Sequence, residues 1–191
     1  MLLLLTILCA HAEWQEIATS TGCTIYKGPL EGDIQPIRAN CVWNVPLQQV
    51  QEILSDQRRQ VSTFSTLRQS VPLDPPMAAP PSGTQWAYQV HGVSGAPERE
   101  VVVKITSEQT ESAWRQSWTR AEDQSELIGL VEIQTIDGFW ELTATDRNTT
   151  QLTYETRYKD AGRLPERIGR AFQISRAKQM LTELATSAEV H

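Results

Sequence analysis

The feature that most constrains the fold of this chain is a series of segments in which apolar and polar residues alternate, followed by one long segment of helical composition. Residues 86–90, 101–105 and 114–118 show this period of two, and residues 140–142 and 152–156 continue it. Alternation of this kind is typical of strands with one covered face, because successive side chains point to opposite sides of a sheet. The pattern predicts an antiparallel sheet whose apolar face needs a cover.

Short polar turns between these segments predict how neighbouring strands pair. Folding about residues 107–112 places Ile105 opposite Trp114, and folding about residues 146–148 places Trp140 opposite Tyr154. Both pairings bring large apolar side chains to one face, as a sheet with a single covered face requires.

Two helices are expected. Asn44 is a suitable N-cap, and apolar residues at helical spacing predict an amphipathic helix over residues 45–58. Residues 164–189 contain one proline, Pro165 in the first turn, and many helix formers. The apolar stripe of this second helix rotates by roughly half a turn near residues 173–175. Either the helix breaks there or it is contacted on two sides, and we favour the break.

The first part of the chain predicts two strands, at residues 23–27 and 37–43, on either side of a turn containing Gly28, Pro29 and Gly32. The stretch from Pro72 to Pro81 is expected to form an exposed loop within one domain, because proline cannot donate to a helix or a central strand.

The first twelve residues are expected to be a secretory signal peptide. Residues 1–8 are almost wholly apolar, and Ala10-His11-Ala12 provides a small-residue cleavage site after Ala12. The apolar run is much shorter than the ~20 residues needed to span a membrane, so no stable membrane anchor is expected. The interpretation is therefore a periplasmic or secreted protein whose residues 13–191 form a single domain.

Two cysteines remain once the signal is removed, Cys23 and Cys41. They lie at equal distances on either side of Gly32, so an unbulged hairpin places them opposite each other. A non-hydrogen-bonded pair brings the Cα atoms to about 4.5 Å, which a disulfide can span. In an oxidising compartment the sequence predicts a disulfide, whereas in the cytosol the two thiols would be small buried apolar groups.

The residues that carry common chemistries are sparse. A net charge of −6 argues against a general nucleic-acid binder. His91 is the only internal histidine and has no partner at metal-ligand spacing, so neither a metal nor a cofactor is expected and a structural role is favoured. Glu132, Glu141 and Glu155 are candidate acid–base groups, but their alternation favours a solvated face.

The aromatic residues are more informative. Seven of them fall on the predicted covered face, together with two polar residues that are candidates for orienting a ligand's head group. These nine candidate ligand-binding residues are Trp86, Tyr88, Trp114, Gln116, Trp118, Trp140, Tyr154, Thr156 and Phe172. Such a set forms either a packed core or the wall of an apolar pocket.

Several stretches resemble one known family. Residues 14–17 (WQEI) with 22–26 (GCTIY), residues 99–103 (REVVV), and residues 138–142 (GFWEL) with 152–154 (LTY) occur in its order and spacing. They resemble the bacterial START-like (SRPBCC) lipid-binding domains. The resemblance implies an α+β helix-grip fold, in which a curved antiparallel sheet wraps around a long C-terminal helix.

The resemblance also implies a function. It favours a noncatalytic carrier or sensor for a lipid or other hydrophobic small molecule, held between the sheet and the C-terminal helix, and the expected signal peptide makes this an exported protein. Two alternatives remain: a cyclase/aromatase-like enzyme on the same fold, and a module that binds a protein partner through the proline-rich loop. The sequence shows no ionisable pair for catalysis, so the carrier is the preferred hypothesis.

Overall fold

The computed structural model describes residues 13–76, 80–92, 96–161 and 166–189; for residues 160, 166–170 and 189 it describes the backbone alone. The expected signal peptide, Leu164 and Pro165 lie outside the described residues. The elements are β1 (Gln15–Ser20), β2 (Cys23–Lys27), β3 (Ile37–Trp43), α1 (Leu47–Ser55), α2 (Gln57–Thr63), β4 (Leu67–Leu73), β5 (Thr84–His91), β6 (Arg99–Gln109), β7 (Ala113–Arg120), β8 (Val131–Ala144), β9 (Thr150–Asp160) and α3 (Glu166–Glu189).

The strands form one curved, open sheet of nine strands in the order β1-β2-β3-β9-β8-β7-β6-β5-β4, with every neighbouring pair antiparallel. Beyond the end of β7, the first residues of β6 meet β8 directly, at Arg99–Val131 and Glu100–Glu132. The C-terminal helix α3 lies against the inner face. This arrangement is the predicted helix-grip architecture of a curved antiparallel sheet around a C-terminal helix.

The main core lies between the inner face of the sheet and helices α1 and α3. Helix α1 contributes Val50, Ile53 and Leu54, as its helical spacing predicts. The second half of α3 contributes Leu181 and Leu184, both fully buried. At about 25 cal/mol per Å² of apolar surface, this burial is the main stabilising contribution to the fold.

Two registers agree with the prediction and one differs. Trp140 faces Tyr154, and Cys23 faces Cys41. Ile105, however, faces Trp118 rather than Trp114, because the β6–β7 strands continue further and the turn occupies only residues 110–112. The shift of four residues is even, so the same side chains still point to the inner face.

The structure contains two strands that the sequence did not predict, β1 and β4. Strand β1 joins β2 through Thr21 and Gly22, whose φ angles of 51° and 72° define a two-residue hairpin turn. Strand β4 lies at the sheet edge and includes Pro72, which pairs with Ala87. An edge strand tolerates a residue without a backbone donor, so Pro72 belongs to β4. The proline-rich loop starts only after Leu73.

The predicted helix over residues 45–58 is two helices, α1 and α2. Asp56 adopts an extended conformation between them, and its carboxylate accepts hydrogen bonds from the backbone N–H groups of Arg58 and Arg59. Asp56 thus ends α1 and caps α2. Asn44 is not the N-cap; that position belongs to Pro46, whose side chain makes no capping bond.

Helix α3 is continuous, so the favoured break near residues 173–175 is wrong. The inward line runs through Gln173, Ala177, Leu181, Leu184 and Ala188 at uniform helical spacing. The apolar stripe seemed to rotate because this line carries a polar residue, Gln173, in its first half. Within the described residues, no helix is both long and apolar enough to cross a membrane.

Candidate functional site

A cavity of about 90 Å³ lies between the inner face of the sheet, α2 and the first half of α3. Its walls combine apolar and aromatic side chains with several polar ones. They are Gln60, Phe64, Thr66, Leu67, Gln89, His91, Val103, Ile105, Gln116, Trp118, Ile136, Trp140, Tyr154, Thr156, Tyr158, Phe172, Gln173, Arg176, Ala177 and Met180. An apolar hollow with a few converging polar groups is the usual form of a small-molecule site.

One wall of the cavity is a cluster of four aromatic rings. The rings of Trp140 and Tyr154 are stacked with centroids 4.2 Å apart, and Trp118 lies 6.0 Å from Trp140. Phe64, at the end of α2, stacks on Trp140 at 6.4 Å. These rings come from the middle of the sheet and from the α2–β4 connection. They provide a rigid apolar surface with few rotamers to order.

The opposite end of the cavity is polar. The Arg176 guanidinium lies over the Tyr158 ring, 4.9 Å from its centroid, and donates a hydrogen bond to Nδ1 of His91. Nε2 of His91 lies 3.1 Å from Oε1 of Gln89. The Gln89 amide in turn donates to Oγ of Ser70 at 3.3 Å. A chain of hydrogen bonds therefore runs from α3 across β5 to β4.

The chain of bonds defines the state of His91. Arginine only donates, so Nδ1 of His91 must accept. The ring proton is then on Nε2, which donates a hydrogen bond to Oε1 of Gln89. Burial, and secondarily the charge of Arg176, hold the pKa of His91 well below its ordinary value of 6.5. His91 is therefore a neutral imidazole that orients Arg176 without repelling it.

Six of the nine candidate ligand-binding residues line the cavity: Gln116, Trp118, Trp140, Tyr154, Thr156 and Phe172. Gln116 already donates to Oγ of Ser107 at 3.2 Å, and Thr156 donates to the carbonyl of Asp137 at 3.3 Å. Trp114 packs in the main core beside the site and does not line the cavity.

Trp86 and Tyr88 lie on the opposite face of the sheet, packed with Val90, Val102 and Ala121. Residues 86–91 of β5 are all buried, because a connection between β7 and β8 covers the outer face there. Alternation alone cannot tell which face of such a strand points inward. The inward residues are Ala87, Gln89 and His91.

Tyr88 and Glu100 together hold that outer connection. The Tyr88 hydroxyl donates to Oε2 of Glu100 at 2.9 Å, and the backbone N–H groups of Ile128, Gly129 and Leu130 donate to the same carboxylate. Burial and the bond to Glu100 raise the pKa of Tyr88 to about 12. Burial opposes ionisation of Glu100, but its hydrogen bonds outweigh that effect and lower its pKa.

The three candidate acid–base carboxylates point away from the cavity and are ion-paired. Glu155 bonds to Arg38 at 2.7 Å, Glu141 pairs with Arg115, and Glu132 pairs with Arg120. Among the residues that the structure describes, no group of three His, Cys, Asp or Glu side chains is placed to hold a metal ion.

The sequence analysis missed Arg176, His91, Gln89, Thr66 and Gln173 as residues of the cavity. Gln173 and Arg176 interrupt the apolar stripe of α3, and this interruption is the signal that could have found them. No local pattern marked Thr66, because it lies in the short connection between α2 and β4.

Cys23 and Cys41 are joined by a disulfide, with Cα atoms 3.9 Å apart. The backbone N–H of Val42 donates to the carbonyl of Gly22 at 3.0 Å, so the cysteines occupy a non-hydrogen-bonded pair, as predicted. Both cysteines are buried in the main core.

The fold places the chain in the helix-grip class, and solved structures identify the type more closely. The chain is similar to human STARD10, with a TM-score of 0.80 and 12% identity over 92% of this chain and 72% of that one. It is also similar to a STAR-related lipid transfer protein from Xanthomonas axonopodis, with a TM-score of 0.77 and 18% identity over 92% of this chain and 98% of that one. The chain has a START-like fold.

The same fold occurs in an enzyme. The Zhui aromatase/cyclase from Streptomyces sp. R1128 is similar with a TM-score of 0.61 and 14% identity, over 82% of this chain and 94% of the enzyme. No family model and no curated protein sequence matches the chain. At these identities the likeness establishes the fold, and function must be argued from the cavity.

Proposed function

We propose that this chain is an exported, noncatalytic binding protein, a carrier or sensor for a lipid or other hydrophobic small molecule held between the sheet and α3. The observation that carries the proposal is the cavity itself, with an aromatic wall at one side and a hydrogen-bonded polar group at one end. A chain-like ligand with one polar end suits this division of the surface. One of the similar structures described above is a lipid transfer protein by name.

The export part of the proposal rests on two features. The apolar start of the chain ends in a signal-type cleavage site after Ala12. The Cys23–Cys41 disulfide fits an oxidising compartment such as the periplasm or the exterior. Residues 13–191 would then be the mature single domain.

The size of the cavity shapes how binding would occur. A volume of about 90 Å³ is below the ~300–1,000 Å³ of typical small-molecule sites. An acyl chain would therefore enter only if α3, or Phe64 at the end of α2, moved outward. We expect binding to change amide hydrogen exchange in residues 171–180 of α3 and to leave the outer strands unchanged.

Direct binding of a fluorescent fatty-acid analogue tests the proposal. Dansyl-undecanoic acid should bind with micromolar affinity, and Trp118→Ala should weaken binding about tenfold, because an aromatic wall contact is lost. Trp86→Ala is the matched control, since Trp86 is a buried indole of the same sheet on the opposite face. Circular dichroism shows whether each variant is folded.

Failure of every apolar probe to bind the folded wild type would contradict the carrier. Equal loss in both tryptophan variants would show that binding does not occur in this cavity.

One observation favours the second candidate, an enzyme of the aromatase/cyclase kind. His91 is a neutral imidazole in the cavity wall, and a neutral imidazole is a common general base. Both ring nitrogens are already bonded to Arg176 and Gln89, which favours an orienting role. A His91→Gln variant that keeps full ligand affinity but loses turnover of a polyketide analogue would support the enzyme.

A further inference from the structure

The polar end of the cavity contains a cationic group, Arg176, that has no anionic partner among the described residues. Of the described residues that line the 90 Å³ cavity and the adjoining recess of about 10 Å³, none is an aspartate or glutamate. Among the residues that the structure describes, none forms an ion pair with Arg176. Arg99 also lines the recess, so two arginines flank this end of the space. The recess is large enough for about one water molecule or one ligand oxygen.

Arg176 is held in place with donors to spare. A guanidinium carries five N–H donors, and His91 accepts one of them. The Tyr158 ring supports its flat face, and the Gln89–His91 bond keeps Nδ1 of His91 turned toward it. This positioning reduces the entropy that binding must overcome, and His91, being uncharged, leaves the positive charge of Arg176 available.

A second observation points to a ligand at the same end. The hydroxyl of Thr66, a residue only 3% exposed, has no hydrogen-bond partner among the described residues, and Thr66 lines both the cavity and the recess. A buried hydroxyl without a partner is unfavourable, because its hydrogen bonds to water are lost and not replaced. Such a group next to an arginine is suited to donate to an oxygen atom of an anion.

We infer that the molecule bound in this cavity is an amphipathic anion, whose carboxylate or phosphate oxygens are bound by Arg176 and Thr66 while its apolar tail lies along Trp118 and Trp140. The inference rests on the proposed function and names its ligand class. Charge-assisted bonds from a preorganised guanidinium are the strong hydrogen bonds of protein sites. The ring faces of Trp118 and Trp140 are apolar and suit an apolar chain.

The test compares three ligands with the same tail, dodecanoate, dodecyl phosphate and dodecanol, as competitors of dansyl-undecanoic acid on the oxidised full-length protein. At least one of the two anions should bind about 10- to 100-fold more tightly than dodecanol. Inorganic phosphate alone should not compete, which distinguishes an amphiphile from a free anion. Dodecanol binding as tightly as both anions would overturn the inference and leave the carrier intact, whereas no binding of any tail would overturn the carrier itself.

Variants test whether Arg176 is responsible for the preference for anions. Arg176→Gln should reduce anion binding about 10- to 100-fold and leave dodecanol affinity unchanged, and Arg176→Lys should retain part of the preference. Arg115→Gln is the matched control, because Arg115 lies on the outer face, paired with Glu141. Unchanged anion preference in folded Arg176→Gln would overturn the assignment. If Arg176→Gln does not fold, the comparison of wild type with Arg176→Lys and Thr66→Val decides: an unchanged preference in both variants overturns it.

Discussion

Removal of the Cys23–Cys41 disulfide should lower the stability of the protein by about 3 kcal/mol. The bridge closes a loop with a sequence separation of 18 residues, and the chain-entropy model assigns about 3 kcal/mol to a loop of this size. For a domain of this length, that corresponds to a melting temperature about 6–12 °C lower. The bridge joins β2 to β3 inside the main core. Without it, this hairpin is held together only by side-chain packing and by the backbone hydrogen bonds between the two strands.

The measurement is urea unfolding of the oxidised protein, followed by tryptophan fluorescence, against a Cys23→Ala, Cys41→Ala double variant. The double variant also loses two buried sulfur atoms, so reduced wild type serves as the control for packing. Both bridge-free proteins should unfold at lower urea with similar midpoints.

Two results would refute this reasoning. If oxidised and reduced wild type unfold at the same urea concentration, the bond does not restrict the unfolded chain as the model requires. If mass measurement after alkylation without reductant finds two free thiols in the exported protein, the bridge is absent.

Three further changes have defined outcomes. His91 has a folded-state pKa below its unfolded value, so its contribution to stability is present above pH 6.5 and is lost as the pH falls. Between pH 7.5 and 5.5, the free energy of unfolding of the wild type should fall by up to about 1.4 kcal/mol more than that of His91→Asn, and parallel pH profiles of the two proteins would contradict this. Glu100→Gln should lower the free energy of unfolding by about 1.5–3 kcal/mol and speed amide hydrogen exchange at residues 128–130, because a neutral amide is a weaker acceptor for three backbone donors. Unchanged exchange at these residues would contradict the role of Glu100 in holding the connection between β7 and β8. Gly138→Ala should cost about 1–3 kcal/mol, since a Cβ atom there would lie 2.2 Å from the Glu155 carbonyl oxygen and 2.7 Å from the Trp118 ring; an unchanged unfolding midpoint would show that β8 and β9 can separate at no cost.

Local patterns were sufficient for seven of the nine strands, all except β1 and β4, and for two of the three predicted hairpin registers. The Trp140–Tyr154 and Cys23–Cys41 registers were predictable because each pair belongs to one hairpin whose turn was placed correctly. In the β6–β7 hairpin the turn is shorter than the polar segment suggests, so the register there was shifted. Strand β4 was not predictable, because it is an edge strand with few buried residues and contains a proline.

The sequence by itself determined the α+β class, the antiparallel sheet and the shared covered face of Trp118, Trp140 and Tyr154, because period-two alternation records which side chains of a half-buried strand must leave water. Only the tertiary structure decided which face of β5 points inward, because both faces of that strand are buried and alternation carries no information there. It also decided the polar end of the cavity. Arg176 and His91 are 85 residues apart and meet only because the fold brings α3 within side-chain reach of β5, so no local pattern records their contact.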